Sequence, residues 1–122
     1  MKKALLILLF PLLSIGQTKI GADIDGEAAD DQSSVSVSIS SDGTTLAIGA
    51  PGNDGSGTDA GSVRVYKNVS GVWTKVGSDI DGEAADDHSG KSVSLSGNGT
   101  TLAIGAYGND GNGSSSGSVR VY

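Results

Sequence analysis

Two stretches of nine residues hold most of the side chains able to do chemistry. Asp23, Asp25, Glu27, Asp30 and Asp31 fall in the first, and Asp79, Asp81, Glu83, Asp86 and Asp87 repeat them in the second. Hard oxygen donors at alternating positions, with Gly26 or Gly82 allowing a sharp turn, are the chemistry of calcium. Asp23, Asp25, Glu27, Asp79, Asp81 and Glu83 are therefore the candidate metal ligands, and calcium the one candidate cofactor. The competing reading is a solvated loop whose charges keep an edge-rich β protein soluble. The spacing favours that reading, because calcium takes about six to eight oxygens and nothing here specifies a closed loop.

For catalysis the chain offers little. His88 is the only imidazole, and Gln32 holds its place in the first stretch. No Gly-x-Ser-x-Gly elbow with a His and an Asp can be assembled. Paired carboxylates could hydrolyse glycosides, but nothing fixes their separation. No catalytic or cofactor-binding residue is assigned, and the chain does not read as an enzyme. Trp73 and Tyr66 are better placed to pack strands than to stack on sugar.

Composition narrows the class further. With no cysteine there is neither a disulfide framework nor a thiolate zinc site. Residues 1–16 have the plan of a secretory signal: Lys2 and Lys3, an apolar run from Ala4, then Ser14-Ile15-Gly16 before Gln17. The apolar run is too short for a membrane anchor, which needs about 20 residues. Loss of Lys2 and Lys3 moves the net charge from −6 to −8. An acidic surface of that kind disfavours nucleic acid, whose phosphates require clustered Lys and Arg. The expected location is secreted or at the cell surface.

The elements that must position these loops are written twice. Gly21–Tyr66 aligns with Gly77–Tyr122 without a gap, at an offset of 56, with 34 identities in 46 positions. Within one period the texture is strand and turn. Ser34–Ser40 alternates Val35, Val37 and Ile39 with serines, a period-two strand. Asp42-Gly43, or Asn98-Gly99 in the second copy, supplies a tight turn. Thr45–Ala50 is a second strand, Ser62–Asn68 a third with Val63 and Val65 on one face, and Val72–Ile80 a fourth. Four short antiparallel strands in 56 residues make a propeller blade. The small Ser, Ala and Gly residues on the inner strands would let neighbouring sheets approach closely. The fold expected is all-β, a partial propeller of two four-stranded blades.

These copies resemble the FG-GAP repeats of integrin alpha-subunit heads, and more closely the secreted bacterial repeats of that type. The Gly-Ala-Pro half stands at Gly49-Ala50-Pro51 and, with a departure, at Gly105-Ala106-Tyr107. The Phe-Gly half survives as Ser89-Gly90 and as Ser33-Ser34. Gly-x-Val-x-Val-Tyr is intact at 61–66 and 117–122. The resemblance implies a β-propeller used for extracellular binding and adhesion, and a bacterial source. The family's calcium loop, Asp-x-Asp-x-Asp-Gly, falls on Ser38, Ser40 and Asp42-Gly43, and on Ser94, Ser96 and Asn98-Gly99. With one carboxylate in the first and none in the second, that site is expected to be lost. The segment Gly52-Asn53-Asp54-Gly55-x-Gly57, repeated at 108–113, is similar to the calcium nonapeptides of β-rolls. Those come in tandem runs, so a surface loop at the ligand-binding rim is expected here.

The strand order gives the domain plan. After the signal at 1–16 come a closing outer strand and acidic loop at 17–32, within which Thr18–Ile24 matches the outer strand Thr74–Ile80. Blade one with its connecting loop occupies 33–88, and blade two, lacking its outer strand, 89–122. Two blades cannot close a ring of four to eight or so. The expected partners are an extracellular protein or glycan, and further repeats of the same kind in cis or in trans. The expected function is a binding or adhesion scaffold. The alternatives are a spacer in a large surface protein and a propeller-associated hydrolase.

Overall fold

The computed structural model describes Ala4 and residues 16–122, so the expected export signal at 1–16 lies, but for Ala4 and Gly16, outside the described residues. Those residues form eight strands and no helix. The first sheet pairs β1 (Ser36–Ile39), β2 (Thr45–Ala50), β3 (Ser62–Val69) and β4 (Val72–Lys75) in that order, all antiparallel, with β5 (Ile80–Asp81) also on β3. The second holds β6 (Ser92–Leu95), β7 (Leu102–Ala106) and β8 (Ser118–Val121), again antiparallel in chain order. The turns match their residues. Gly43 N donates to Ser40 O at 2.9 Å and Gly99 N to Ser96 O at 2.8 Å, each turn clamped by its Asp42 or Asn98 side chain.

Two elements differ from the sequence reading. The expected strand Val72–Ile80 breaks into β4 and β5 around Gly77, whose φ of 69° a side chain would strain. The break lets β5 rejoin β3 at Ser62 and Val63. The segment Thr18–Ile24 forms no ladder. It is held instead through Trp73, whose indole Nε1 donates to Ile20 O at 3.1 Å. Its register relative to the first repeat is nevertheless that of β5 to the second, because Asp25 O and Asp81 O each accept from the arginine 39 residues onward.

The two sheets stack face to face, and the core is the seam between them. Ala47 and Val63 of the first sheet meet Leu102 and Ile104 of the second, flanked by Val65, Ile80, Val93 and Leu95. Cross-strand register puts Ser36, Gly49 and Val63 on one face, and Val37, Ile48 and Arg64 on the other. The serine face is the packed one, as close approach requires. Ser36 Oγ donates to Gly90 O at 2.6 Å, and Ser38 Oγ accepts from Leu95 N at 2.9 Å. On the opposite face Val35, Val37 and Ile39 stand exposed.

Candidate functional site

Four loops meet at the end of the sheets where β2 and β7 stop and β3 and β8 begin. They are the two acidic loops and the two Gly-Asn-Asp-Gly loops, and each acidic loop is clamped to one of the others. Asp31 is buried, and its Oδ2 accepts from Ala28 N at 3.1 Å and from Asn53 Nδ2 at 3.0 Å. Asp87, equally buried, accepts from Ala84 N at 3.2 Å and Asn109 Nδ2 at 3.0 Å. Backbone bonds reinforce the clamp, Gly52 N donating to Asp31 O and Gly108 N to Asp87 O, each at 3.1 Å. A buried carboxylate is tolerable only with such partners. A run of carboxylates does not set Asp31 and Asp87 apart from the solvated charges of their loops. The signal in the sequence is an Asp and an Asn recurring 22 residues apart in each copy.

The same loops are tied to the strands and across the seam. Arg64 Nη2 donates to Asp25 O at 2.9 Å and Ser33 Oγ at 3.0 Å, with its guanidinium 5.9 Å from the centroid of Tyr66. Arg120 makes the matching bonds to Asp81 O at 2.7 Å and Ser89 Oγ at 3.3 Å, 5.8 Å from Tyr122. Ser56 Oγ donates to Gly82 O at 2.7 Å and Asp86 N to Thr58 O at 2.8 Å, joining the first repeat's loop to the second acidic loop.

Of the six candidate metal ligands, four have carboxylates engaged by other side chains. Asp23 pairs with Lys19 at 3.2 Å, and Asp79 pairs with Lys75. Asp25 and Asp81 present backbone carbonyls to arginine, and Glu83 Oε2 lies 3.4 Å from Asn109 Nδ2. Glu27 and Asp79 are brought together, the one hydrogen-bonded to the other. Burial, and then the hydrogen bond and charge of Asp79, raise the Glu27 pKa above its ordinary value. Burial pushes the Asp79 pKa up, but hydrogen bonds from Lys75 and Glu27 with the nearby cationic charges outweigh it and leave it lowered. Among the described residues no three His, Asp or Glu side chains converge as metal ligands would.

At the other rim, the loop matching the family's calcium site is given over to turn hydrogen bonds. Asp42 Oδ1 accepts from Ser40 Oγ at 2.7 Å, Thr44 N at 3.0 Å and Thr44 Oγ1 at 2.8 Å, while Ser40 Oγ accepts from Thr45 N. The Ser40 hydroxyl, with the Thr44 donors, holds the Asp42 carboxyl below its usual range. His88 stacks on Tyr107 at 5.0 Å between ring centroids, 5° from parallel, with Nδ1 3.3 Å from Pro51 O. The imidazole is thus a packing group. Gln32 and Pro51 are replaced together, as His88 and Tyr107, in the second copy.

A family model described as FG-GAP repeat matches residues 17–66 and again 79–122. The chain belongs to the FG-GAP repeat family. The matched segments close at Tyr66 and Tyr122, the aromatic residues under the two arginine clamps. The FG-GAP assignment and the antiparallel sheets agree on propeller-type repeats, a scaffold architecture. No curated protein matches the chain. Among the described residues no helix is long and apolar enough to cross a membrane.

Proposed function

We propose that this FG-GAP chain is an exported binding or adhesion scaffold, at the surface of or secreted from a bacterial cell, whose ligand meets the loop rim. The reading rests on one observation: four loops are locked into one continuous rim by clamps that recur in both copies. Asp31–Asn53 and Asp87–Asn109 hold the loop bases, while the exposed tips differ between copies, Ser56 and Thr58 against Asn112 and Ser114. Fixed bases with varied tips are how a rigid scaffold presents recognition residues. The ligand class is an extracellular protein or a glycan, and no residue is assigned a catalytic role.

A glycan array and a panel of immobilised extracellular proteins, probed with the exported chain, test this. The expected result is a bound ligand lost with Thr58→Arg. Failure to bind across both panels by a folded chain overturns the proposal in favour of a spacer, a reading supported by the apolar faces open on both outer sides of the two sheets.

The acidic loops are proposed to solvate and charge this rim rather than to hold calcium. Millimolar calcium then leaves the melting temperature nearly unchanged. A saturated site would stabilise the fold by about 2.7 kcal/mol at a hundredfold excess over Kd. A rise of that size, removed by Asp79→Asn with Asp81→Asn, reverses the assignment.

A further inference from the structure

The face that β7 and β8 turn to solvent is a second copy of a face that is filled in the first repeat. There the segment His88-Ser89-Gly90, which opens the second repeat, settles into a backbone cradle. Ser89 N donates to Ala60 O at 2.9 Å, Ser89 bridges to Gly61, and Ser36 Oγ donates to Gly90 O. Gly90 O also lies against Gly49, where a side chain on Gly49 would displace it. Fifty-six residues on, Ser92, Gly105, Ser116, Gly117 and Val119 line an open cleft of about 470 Å³. The register is the same in both, Ser36 opposite Gly49 opposite Val63 in one, and Ser92 opposite Gly105 opposite Val119 in the other. The cleft therefore has the form of a cradle for the opening segment of a further repeat.

This chain contains one other such segment, Gln32-Ser33-Ser34, and its backbone is already in the docking conformation. Ser34 N donates to Gly49 O and Gly90 N to Gly105 O, each at 3.1 Å. Val35 N donates to Gln32 O and Lys91 N to His88 O, each at 3.2 Å. The φ angles are 75° at Ser34 and 86° at Gly90. The side chain is the difference. A Cβ on Gly90 would lie 2.5 Å from Ser62 O, 3.0 Å from Val63 Cγ2 and 3.1 Å from the Cα of Gly49. Two of those three atoms are backbone and cannot swing aside. In the second cradle their counterparts are Ser118 O, Val119 and Gly105, and Ser34 would carry its Cβ into them.

We propose that the cleft on the second repeat is a docking site for the opening segment of a repeat bearing glycine at the position of Gly90, and that Ser34 bars this chain's own first repeat from it. The occupant is thus an FG-GAP repeat of the Ser-Gly type, not a second copy of this chain. The exclusion matters because the two faces are different surfaces. A head-to-tail contact between copies either closes a ring or runs on into an open filament. One hydroxymethyl group at an exposed turn stands against both. The proposal is independent of what the loop tips bind, since Asn112 and Ser114 are not among the residues lining the cleft.

Sedimentation velocity of the exported chain tests it with three proteins: the wild type, Ser34→Gly, and Ser34→Gly with Val119→Asp. Ser34→Gly places glycine at a left-handed position, so the variant keeps its fold. It should self-associate about tenfold or more strongly than the wild type, the scale of relieving an overpacked contact. Val119→Asp, on an exposed side chain of the cleft, should return it to the wild-type state. Equal association of wild type and Ser34→Gly, or association indifferent to Val119→Asp, overturns the proposal. A second measurement tests the steric premise within one chain. Gly90→Ser should lower the melting temperature by forcing the seam apart, and a Gly90→Ser protein that melts with the wild type removes the basis for the exclusion.

Discussion

Val63 and Val119 occupy the same position in the two copies, in the same hexapeptide and on the same face of equivalent strands. Val63 is 0% exposed and Val119 68%. The reverse holds across the other face, where Val37 is 58% exposed while its counterpart Val93 packs against the core. Burial here does not belong to a residue or to its strand. For these valines it belongs to the junction between consecutive repeats, and each repeat supplies two unlike halves of it. In such arrays stability is a sum of repeat and neighbour terms.

One substitution made at both valines should have the most unequal effects. Val63→Asp buries an unpaired charge in the seam and should cost upwards of about 4 kcal/mol, enough to unfold a marginal domain. Val119→Asp should stay within about 0.5 kcal/mol. Urea denaturation followed by circular dichroism separates the two. Similar losses would mean that the valines share an environment and that the seam model is wrong.

The next test asks where the copies should agree. Asp31→Ala and Asp87→Ala each strip a buried acceptor from a backbone amide and an asparagine, and should each cost about 1–3 kcal/mol. Their losses should match within about 0.5 kcal/mol if the rim clamps are equivalent local structures. A large disparity, measured by the same denaturation, would make the rim as dependent on neighbours as the seam.

Much of this architecture was legible in the residues, and the rest was hidden for identifiable reasons. The strand β2 spans Thr45–Ala50 as expected, and the turns stand at Asp42-Gly43 and Asn98-Gly99. Periodicity separates Val37 from Ser36 but cannot say which face meets a neighbour, and intuition favours the valines. In the first sheet the packed face is the serine face, because the approach of Gly90 to Gly49 leaves no space for larger groups; the second sheet meets it with Val93, Leu95, Leu102 and Ile104. The break between β4 and β5 was hidden because Val72–Ile80 reads as one continuous strand. The rim clamps were hidden because a run of carboxylates gives no sign of which member turns inward.

Smaller differences are expected at the lysine–aspartate pairs of the two copies. The pairs Lys19–Asp23 and Lys75–Asp79 are counterparts, the first exposed and the second partly buried. Asp79→Asn should cost less than about 1 kcal/mol and Asp23→Asn close to nothing, both fading in high salt. Thermal melts in low and high salt read the difference. The lowered pKa of Asp79 contributes stability above the ordinary carboxylate range that is lost as pH falls through the lowered value. The raised pKa of Glu27 acts oppositely: its contribution is present below the unfolded value and lost as pH rises through the folded one.

The smallest expected effect lies at the Asp42 turn. Asp42→Asn copies the second repeat, where Asn98 Oδ1 keeps the bonds from Ser96, Thr100 N and Thr100 Oγ1. At neutral pH the melting temperature should hardly move. The acid limb should flatten, because the folded-state pKa of Asp42 is lowered and its contribution disappears as pH falls through that value. An unchanged acid limb, read from melts across the acid range, would show that the turn carboxylate takes no part in acid unfolding.

The lone tryptophan turns this arrangement into an optical instrument. Trp73 is hydrogen-bonded to Ile20 and is not among the aliphatic residues of the junction where the two sheets meet, which holds no indole of its own. Its emission therefore reports whether the leading segment is seated on the outer edge of the first sheet. Fluorescence and backbone ellipticity will follow two different events in this chain, and the interval between their transitions measures how tightly that segment is held.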